Sequence, residues 1–258
     1  MKRLIAIAVL LAATCAALQA QDISIRVMSM NIKEGAKYAD HKAEPYAELI
    51  NSSSPDFVCL QEVDFMTFRN GGRDWLNELA ALTGMFPFYC KSFDYQGGGF
   101  GTAILSRYPF YKASKTVFSS KDTREDRASG WVYVQLPDGN SVRVATTHLA
   151  LESADITTKH IASVNSAIFS EDASIPTLLV GDFNATPDSD PIVYARIKWQ
   201  EIAPGSGNTI PADNPNRQLD YMMGFPKKKW SAASYSILAH PELSDHCFIL
   251  ADLKINLD

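Results

Sequence analysis

Ten short apolar segments constrain the fold of this chain more than any other feature of its sequence. Each is a few residues long and rich in β-branched and aromatic residues, which is typical of buried strands. The predicted strands are residues 23–30, 57–61, 86–91, 101–106, 131–136, 142–148, 177–182, 218–222, 234–238 and 247–253. Four other segments have helical periodicity and are predicted as helices, at residues 41–51, 73–83, 156–169 and 191–197.

The connections between these segments favour two packed sheets. Pro137-Asp138-Gly139-Asn140 lies between two alternating segments and predicts a hairpin turn. Other strands are separated by helices and need crossover connections. Because strands outnumber helices and hairpins mix with crossovers, two sheets flanked by helices fit better than a doubly wound parallel sheet. The sequence has no internal repeat and no linker rich in Gly, Ser and Pro, so we predict one domain over residues 21–258.

The N-terminus has the layout of a secretory signal peptide. Lys2 and Arg3 precede a short apolar run, which is followed by small residues up to Ala20. We therefore predict a signal peptide over residues 1–20, which makes the protein secreted or periplasmic. The apolar run is too short to span a bilayer comfortably, so no transmembrane segment is expected in the mature chain. Cys15 leaves a lipoprotein signal open, although no Leu stands at the usual offset before it.

The charge balance argues against a protein that binds nucleic acid through its own charge. The chain has 24 Lys and Arg residues against 29 Asp and Glu residues. Loss of Lys2 and Arg3 with the signal peptide leaves 22 against 29, a net charge of −7. Electrostatic nucleic-acid binding needs many Lys and Arg side chains on phosphates. A nuclease that takes its positive charge from a metal ion is still compatible with this balance.

The stretch Gly181-Asp182-Phe183-Asn184 follows the predicted strand at residues 177–182. Chemistry in α/β proteins gathers at the carboxyl ends of strands, and residues two apart share one face. A carboxylate and an amide at that position can orient a water molecule. An Asx-rich turn that caps a helix is the alternative interpretation.

Polar residues also end most of the other predicted core strands. They are all of metal-ligand or acid/base type: Asn31, Glu62, His148, Asp220, Asp245 and His246. Asn31, Glu62 and Asp245 are hard oxygen donors suited to Mg²⁺ or Mn²⁺. Asp220 is a candidate partner that fixes the tautomer of His246. One polar strand end is ordinary, but this set predicts a common cleft.

The segments that carry these residues resemble the metal-dependent endonuclease/exonuclease/phosphatase superfamily, which includes deoxyribonucleases and neutral sphingomyelinases. The matching segments, in the order of the family, are Met28-Ser29-Met30-Asn31-Ile32, Leu60-Gln61-Glu62-Val63, Thr147-His148-Leu149, Gly181-Asp182-Phe183-Asn184-Ala185, Leu219-Asp220-Tyr221 and Ser244-Asp245-His246. The resemblance implies an α/β fold, a four-layer α/β/β/α sandwich with two mainly antiparallel mixed sheets.

The resemblance also implies which residues bind the metal ion and which act on the attacking water. Glu62 is expected to be the principal ligand of Mg²⁺ or Mn²⁺, with Asn31 and Asp245 near the same ion. Asp182, steadied by Asn184, is expected to orient or deprotonate the attacking water.

The remaining polar residues are expected at the phosphate. His246, paired with Asp220, would contact the scissile phosphate, although some accounts of the family make this histidine the general base. His148 would bind a phosphate oxygen or protonate the leaving group. A phosphate-binding arginine is expected near residues 124–128, where Arg127 is favoured over Arg124.

These expectations describe a secreted, Mg²⁺-dependent phosphoesterase. A phosphodiesterase that acts by in-line attack of water is favoured, with a lipid head group, a small phosphodiester or a nucleic acid as substrate and a monomeric chain. A secreted nuclease and a non-catalytic binding protein of the same fold are the alternatives. Arg69 and Arg73 follow the Glu62 strand and are candidate substrate contacts.

Overall fold

The computed structural model describes residues 22–256, so the predicted signal peptide lies outside the described residues. The strands are β1 Ile23–Asn31, β2 Phe57–Phe65, β3 Phe86–Tyr95, β4 Gly98–Ser106, β5 Phe110–Phe118, β6 Arg127–Gln135, β7 Ser141–His148, β8 Thr177–Asp182, β9 Gln200–Glu201, β10 Asp220–Phe225, β11 Trp230–Leu238 and β12 Phe248–Ile255. The helices are α1 Lys33–Ala36, α2 Glu44–Ser53, α3 Trp75–Thr83, α4 Ala154–Phe169 and α5 Asp190–Lys198. None of the helices between residues 22 and 256 is both long enough and apolar enough to cross a bilayer.

The strands form two sheets of six. Sheet A has the order β11-β12-β1-β2-β4-β3, and sheet B has the order β5-β6-β7-β8-β10-β9. Within each sheet one neighbouring pair is parallel, β1 with β2 and β7 with β8, and the other pairs are antiparallel. The expectation of two mainly antiparallel mixed sheets is confirmed.

Three apolar layers join the sheets and helices into a sandwich. Along β1, the side chains of Ile25 and Val27 point into the core between the two sheets. Those of Met28 and Met30 point to the opposite face of sheet A, into the core that this face shares with α2 and α3. Alternate residues of a strand point to opposite faces, so a strand that is apolar on both faces is covered on both. Helices α2 and α3 cover sheet A, and helices α4 and α5 cover sheet B. The predicted α/β/β/α order of layers is therefore confirmed.

Helices α3 and α4 begin at side chains that satisfy free backbone amides. Asp74 caps α3 by accepting a hydrogen bond from the Asn77 amide, and Gly84 ends that helix with a φ of 67°. Ser153 caps α4 by accepting from the Ile156 amide. Such side chains satisfy amides that have no partner within the helix. These caps fix where α4 starts, and its first turn lies at the cleft described below.

Strand β5 was not predicted from the sequence. It is an edge strand of sheet B, most of its side chains are exposed, and it carries Lys112 and Lys115. Polar and charged residues keep edge strands from pairing with other chains. The apolar signal that marks the central strands is therefore missing from β5.

Candidate active site

Asn31 and Glu62 lie at the edge of sheet A where β1 and β2 run parallel. Asn31 pairs with Gln61 in register, and an irregularity between Leu60 and Val63 turns Glu62 with a φ of 62°. The Asn31 Nδ2 lies 3.2 Å from Oε1 of Glu62. The bulge thus directs Glu62 out of the sheet, because an extra residue re-aims the side chain of a strand.

His148, Asp182 and Asp220 lie side by side across sheet B. His148 is in register with Asp182 across the parallel pair β7 and β8, and Asp220 is in register with Asp182 across β8 and β10. The His148 Nε2 lies 3.6 Å from Oδ2 of Asp182. All three side chains are buried. Strand register alone therefore places two carboxylates and an imidazole together.

His246 reaches this row from the loop that precedes β12. Its Nδ1 lies 2.9 Å from Oδ2 of Asp220, and its Nε2 lies 3.8 Å from Oδ2 of Asp182. Ser244 holds the loop to sheet A, since its hydroxyl donates to the Asn31 carbonyl at 2.6 Å and accepts from the His246 amide at 3.1 Å. One serine therefore couples the His246 loop to the strand that carries Asn31.

Asp182 is the point where the two sheets meet. The Asn31 Nδ2 from sheet A donates to Oδ2 of Asp182 at 3.1 Å. The Asn184 backbone amide donates to Oδ1 at 2.8 Å, and the Asn184 side chain donates to the Leu149 carbonyl at 3.0 Å. Asn184 has a φ of 49°, a conformation that Asn tolerates well. The carboxylate is therefore fixed at both oxygens.

Burial and neighbouring charges shift the pKa values of Asp182, His246 and His148 strongly. Burial, together with the neighbouring Asp220, raises the pKa of Asp182 to about 7. Burial lowers the pKa of His246, but the charge and hydrogen bond of Asp220 outweigh it and raise that pKa to about 10. Burial and the charge of Arg127 hold the pKa of His148 well below its usual value. At neutral pH His246 is therefore cationic and His148 is neutral.

Arg127 lies at the cleft and Arg124 does not. Arg127 is 7% exposed, its Nη1 lies 3.1 Å from Nδ1 of His148, and its Nη2 lies 3.4 Å from Oε2 of Glu125. Arg124 is exposed, and its backbone amide donates to Glu152. The same Nη1 also lies 3.4 Å from Nε2 of His148. Arginine has no acceptor atom, so the His148 nitrogen that accepts from Arg127 is unprotonated and the other ring nitrogen of the neutral imidazole carries the proton.

The site opens into a cleft of about 750 Å³. Eight of the predicted residues line it: Glu62, Arg69, Arg127, His148, Asp182, Asn184, Asp245 and His246. Asn31 and Asp220 do not line the cleft, and both are buried where they contact Asp182 or His246. The structure thus separates residues that face the cleft from residues that hold them.

The comparison with known families agrees with this geometry. The sequence model of the Endonuclease/Exonuclease/phosphatase family matches residues 28–246. The chain belongs to this family. Members of the family are metal-dependent hydrolases of phosphoesters. No curated protein matches the chain in sequence.

Solved structures of the family share the fold at low identity. An endonuclease/exonuclease/phosphatase from Bacteroides vulgatus is 16% identical, with a TM-score of 0.75 over 91% of this chain and 100% of that chain. The Bacteroides thetaiotaomicron mannosyl-6-phosphatase is 14% identical, with a TM-score of 0.73 over 89% and 99%. A D. rerio TDP2 complexed with a single-strand DNA product is 16% identical, with a TM-score of 0.67 over 89% and 98%.

The carboxylate oxygens on the acidic side of the cleft suit a divalent cation. Oδ1 of Asp245 is buried and has no hydrogen-bond partner among residues 22–256. An unpaired buried oxygen in the cleft that Glu62 also lines is what a hard-cation ligand would present. The Asn31 Nδ2 donates to the neighbouring carboxylates, and its Oδ1 accepts from the Lys33 amide at 3.1 Å. Asn31 therefore orients the ligands and has no free oxygen to offer a metal ion.

A second group of possible ligands lies beside the first. Suitable atoms of Asp182, Asp220 and His246 lie within 4.8 Å of one another. His246 Nδ1 is already engaged by Asp220 at 2.9 Å, and imidazole is a poorer ligand for Mg²⁺ than carboxylate. The oxygen set around Glu62 and Asp245 is therefore the better fit for Mg²⁺ or Mn²⁺.

Lys33 is the residue at the site that sequence reasoning missed. Its Nζ lies 3.1 Å from Oδ2 of Asp245, and it lines the cleft. Burial lowers the pKa of Lys33, but the charge of Glu62 and the contact with Asp245 outweigh it and raise the pKa. Its position two residues after Asn31 was the available signal. Arg69 lines the cleft as expected, whereas Arg73 does not and instead pairs with Glu78.

Proposed function

We propose that this chain hydrolyses phosphoesters, with phosphodiesters favoured, by in-line attack of a water molecule that Asp182 orients. The observation that supports this most is the position of Asp182. Its carboxylate is buried, is held by Asn31, and lies within 3.8 Å of the imidazoles of both His148 and His246. A carboxylate with a pKa near neutrality between two imidazoles has the right chemistry for general base catalysis.

Asp182 and Asn184 act on the water in this proposal. The Asn184 amide occupies Oδ1, so Oδ2 is the oxygen that meets the histidines and can accept the water proton. The in-line attack forms the new P–O bond as the bond to the leaving oxygen breaks, and the leaving oxygen takes up a proton from Nε2–H of cationic His246.

The two histidines act on the phosphate. His246 is cationic at neutral pH because Asp220 holds its Nδ1 proton, so its Nε2–H can donate to a phosphate oxygen and stabilise developing charge. His148 is neutral, so the ring nitrogen that carries its proton is suited to binding a phosphate oxygen. Arg127 donates to the other nitrogen of His148 and adds positive charge beside the phosphate.

Glu62 and Asp245 would hold Mg²⁺ or Mn²⁺, with Asn31 orienting Glu62. When bound, such an ion neutralises negative charge on the phosphate oxygens. The adjacent Lys33 ammonium would add a fixed positive charge on the Asp245 side of the site.

The first experiment is a parallel hydrolysis assay of the purified mature chain. The substrates are plasmid DNA, sphingomyelin, inositol phosphates and a chromogenic bis-phosphodiester, each with Mg²⁺ or Mn²⁺. Hydrolysis of the small diesters supports the proposal, and preference for plasmid DNA supports a nuclease instead. Failure on every substrate supports a non-catalytic binding protein.

Variants at the site test the assigned roles. Asp182→Asn and His246→Ala are each expected to lower kcat by roughly 10²–10⁴-fold with the fold retained. His240→Ala is the matched control, because His240 pairs with Glu242 and does not line the cleft. Near-native rates in either site variant would show that the mechanism is wrong.

We also propose that residues 1–20 direct export and are removed, and that the mature chain acts as a monomer. The sequence layout of Lys2, Arg3 and the apolar run supports the first part. N-terminal sequencing of the exported protein and light scattering test the two parts. A mature protein that begins at Met1, or a stable dimer, would contradict them.

A further inference from the structure

One wall of the cleft is aromatic. Phe93 and Tyr95 at the end of β3 and Phe100 in β4 all line the cleft. Their ring centroids lie 5.4 Å apart for Phe93 and Phe100, 5.8 Å for Phe93 and Tyr95, and 6.3 Å for Tyr95 and Phe100. Phe93 and Tyr95 are half-buried, so part of each ring is open to the cleft.

Arg69 holds this wall rigid. Its guanidinium carbon lies 4.7 Å from the ring centroid of Tyr95 and 5.4 Å from that of Phe100. The Asp64 carboxylate, which is fully buried, accepts from Arg69 Nε at 2.6 Å and from Nη2 at 2.8 Å. The bidentate pair fixes the guanidinium and neutralises its charge. We call Arg69, Phe93, Tyr95 and Phe100 the aromatic platform.

The cations that line the cleft are mostly committed to acidic partners. The pairs are Lys33 with Asp245 at 3.1 Å, Arg69 with Asp64 at 2.6 Å and Arg127 with Glu125 at 3.4 Å. Among the described residues, Arg217 is the lining Lys or Arg that makes no ion pair. Glu34 also lines the cleft, and its Oε2 is held by Lys37 at 3.2 Å and lies 3.7 Å from Nη1 of Arg69. A polyanion that continued past the scissile phosphate would therefore meet few free cations, whereas nucleic-acid binding depends on free cations at several phosphates.

We propose that the aromatic platform selects a phosphoester whose alcohol is a carbohydrate ring. The apolar face of the ring packs on Tyr95 and Phe93, and its hydroxyl groups donate to Oε1 of Glu34, because Oε2 of that carboxylate is already held by Lys37 at 3.2 Å. A ring that is uncharged and rich in hydroxyl groups suits a wall that combines aromatic faces with a carboxylate. This inference rests on the proposed phosphoesterase function and specifies its substrate class.

The test compares substrates with the same phosphate and different alcohols. The set is a hexose 6-phosphate and its methyl phosphodiester, glycerol phosphate and its methyl phosphodiester, and a nucleoside 5′-monophosphate. We expect kcat/KM for the hexose compounds to exceed that for the matched glycerol compounds by roughly three- to tenfold, the ratio that a modest stacking contact gives. A preference for the nucleotide, or equal rates on hexose and glycerol compounds, would overturn the proposal.

Variants test whether the aromatic platform causes the preference for hexose compounds. Tyr95→Ala and Phe93→Ala should raise KM for the hexose compounds by roughly three- to tenfold with kcat nearly unchanged, and leave the glycerol compounds unaffected. Phe68→Ala is the control, because Phe68 is 80% exposed and does not line the cleft. Equal losses on hexose and glycerol compounds would mean a structural role and would refute the proposal.

A binding measurement separates this proposal from the proposed function. Calorimetry with a hexose 6-phosphonate and with methylphosphonate measures the contribution of the ring without hydrolysis. If no phosphoester is hydrolysed but the hexose compound binds more tightly, and Tyr95→Ala removes the difference, the platform is confirmed and the phosphoesterase function is wrong. If substrates are hydrolysed but the ring adds no affinity, the platform proposal is wrong and the phosphoesterase function stands.

Discussion

Asp182 connects all parts of the candidate active site at the residue scale. Its two carboxylate oxygens meet Asn31, the Asn184 amide and the imidazoles of His148 and His246. Its burial beside Asp220 raises its pKa to about 7, whereas the pKa of His246 is raised to about 10. A base and an acid with pKa values on either side of the working pH are what proton transfer requires.

The pH dependence of hydrolysis follows from these two groups. Activity is expected to rise as Asp182 loses its proton, with a midpoint near 7, and to fall as His246 loses its proton near pH 10. In Asp220→Asn the alkaline midpoint should move to lower pH, because Asp220 is what raises the pKa of His246. Rate profiles from pH 5 to pH 11 measure both limbs. An unmoved alkaline limb in Asp220→Asn would exclude His246 as its source.

Glu62 is expected to control the metal dependence. Glu62→Gln removes one charge while keeping the size of the side chain, so the half-saturating Mg²⁺ concentration should rise by roughly tenfold or more and activity should fall. Glu44→Gln, at the exposed start of α2, is the control. Metal titrations of activity and of thermal stability measure the effect. An unchanged metal titration in Glu62→Gln would show that Glu62 is not a metal ligand.

At the scale of elements, close contact between strands determines the geometry of the candidate active site. β7 and β8 place His148 and Asp182 in register. Gly181, next to Asp182, has a φ of 144°, and a Cβ added there would lie 2.0 Å from the Thr147 carbonyl oxygen. The parallel pair can therefore approach as closely as it does because residue 181 has no side chain.

Gly181→Ala should destabilise the chain by roughly 2–4 kcal/mol, through the clash and the unfavourable φ together. Gly139→Ala is the matched control, because Gly139 has a φ of 87° but nothing within 4 Å of an added Cβ. Urea unfolding of both variants separates the clash from the backbone cost. Equal losses would show that contact with β7 contributes nothing.

His160 connects α4 to the chain that follows β7. Its ring stacks with Phe118 at 4.9 Å, and its Nδ1 accepts from the Ala150 amide at 3.3 Å. Burial and the charge of Arg127 lower the pKa of His160 from 6.5 to about 4. An accepting Nδ1 requires the neutral ring, which is the form that burial favours.

The contribution of His160 to stability should therefore depend on pH. It is fully present above pH 6.5 and is lost as the pH falls to about 4, because the unfolded chain takes up the proton first. After allowance for solvent screening, the loss should be roughly 1–2 kcal/mol. Urea unfolding of the native chain and of His160→Gln at pH 7 and pH 4 gives the difference. An equal pH dependence in both chains would contradict the prediction.

At the scale of the whole molecule, charge limits the substrate. The chain is acidic, with a net charge of −5, and most lining cations of the cleft are ion-paired. Few phosphates can then be neutralised at once. The dependence of log(kcat/KM) on log[salt] for the preferred substrate should therefore have a slope of magnitude about 1 or less, against several for a nucleic acid. Rates from 50 to 500 mM NaCl measure the slope, and a steep one would favour the nuclease.

The sequence predicted most of the fold because the central strands are buried on both faces. The apolar runs of β1, β2 and β8 are strong local signals, and the family segments at their ends implied the α/β/β/α order of the layers. The edge strand β5 gave no such signal. β3 extends to Tyr95, beyond the predicted residues 86–91, because its last residues are only half-buried and polar residues alternate among them.

The sequence by itself determined the residue types of the site and the strand ends on which they lie, because each follows a local apolar run. Only the tertiary structure decided which of Arg124 and Arg127 reaches the cleft, that Lys33 pairs with Asp245, and that an aromatic wall lines the same cleft as Asp182. The same holds for the opposite pKa shifts of His148 and His246. These properties depend on burial and on charges far apart in the chain, and a carboxylate or imidazole acquires them only after the two sheets have packed together.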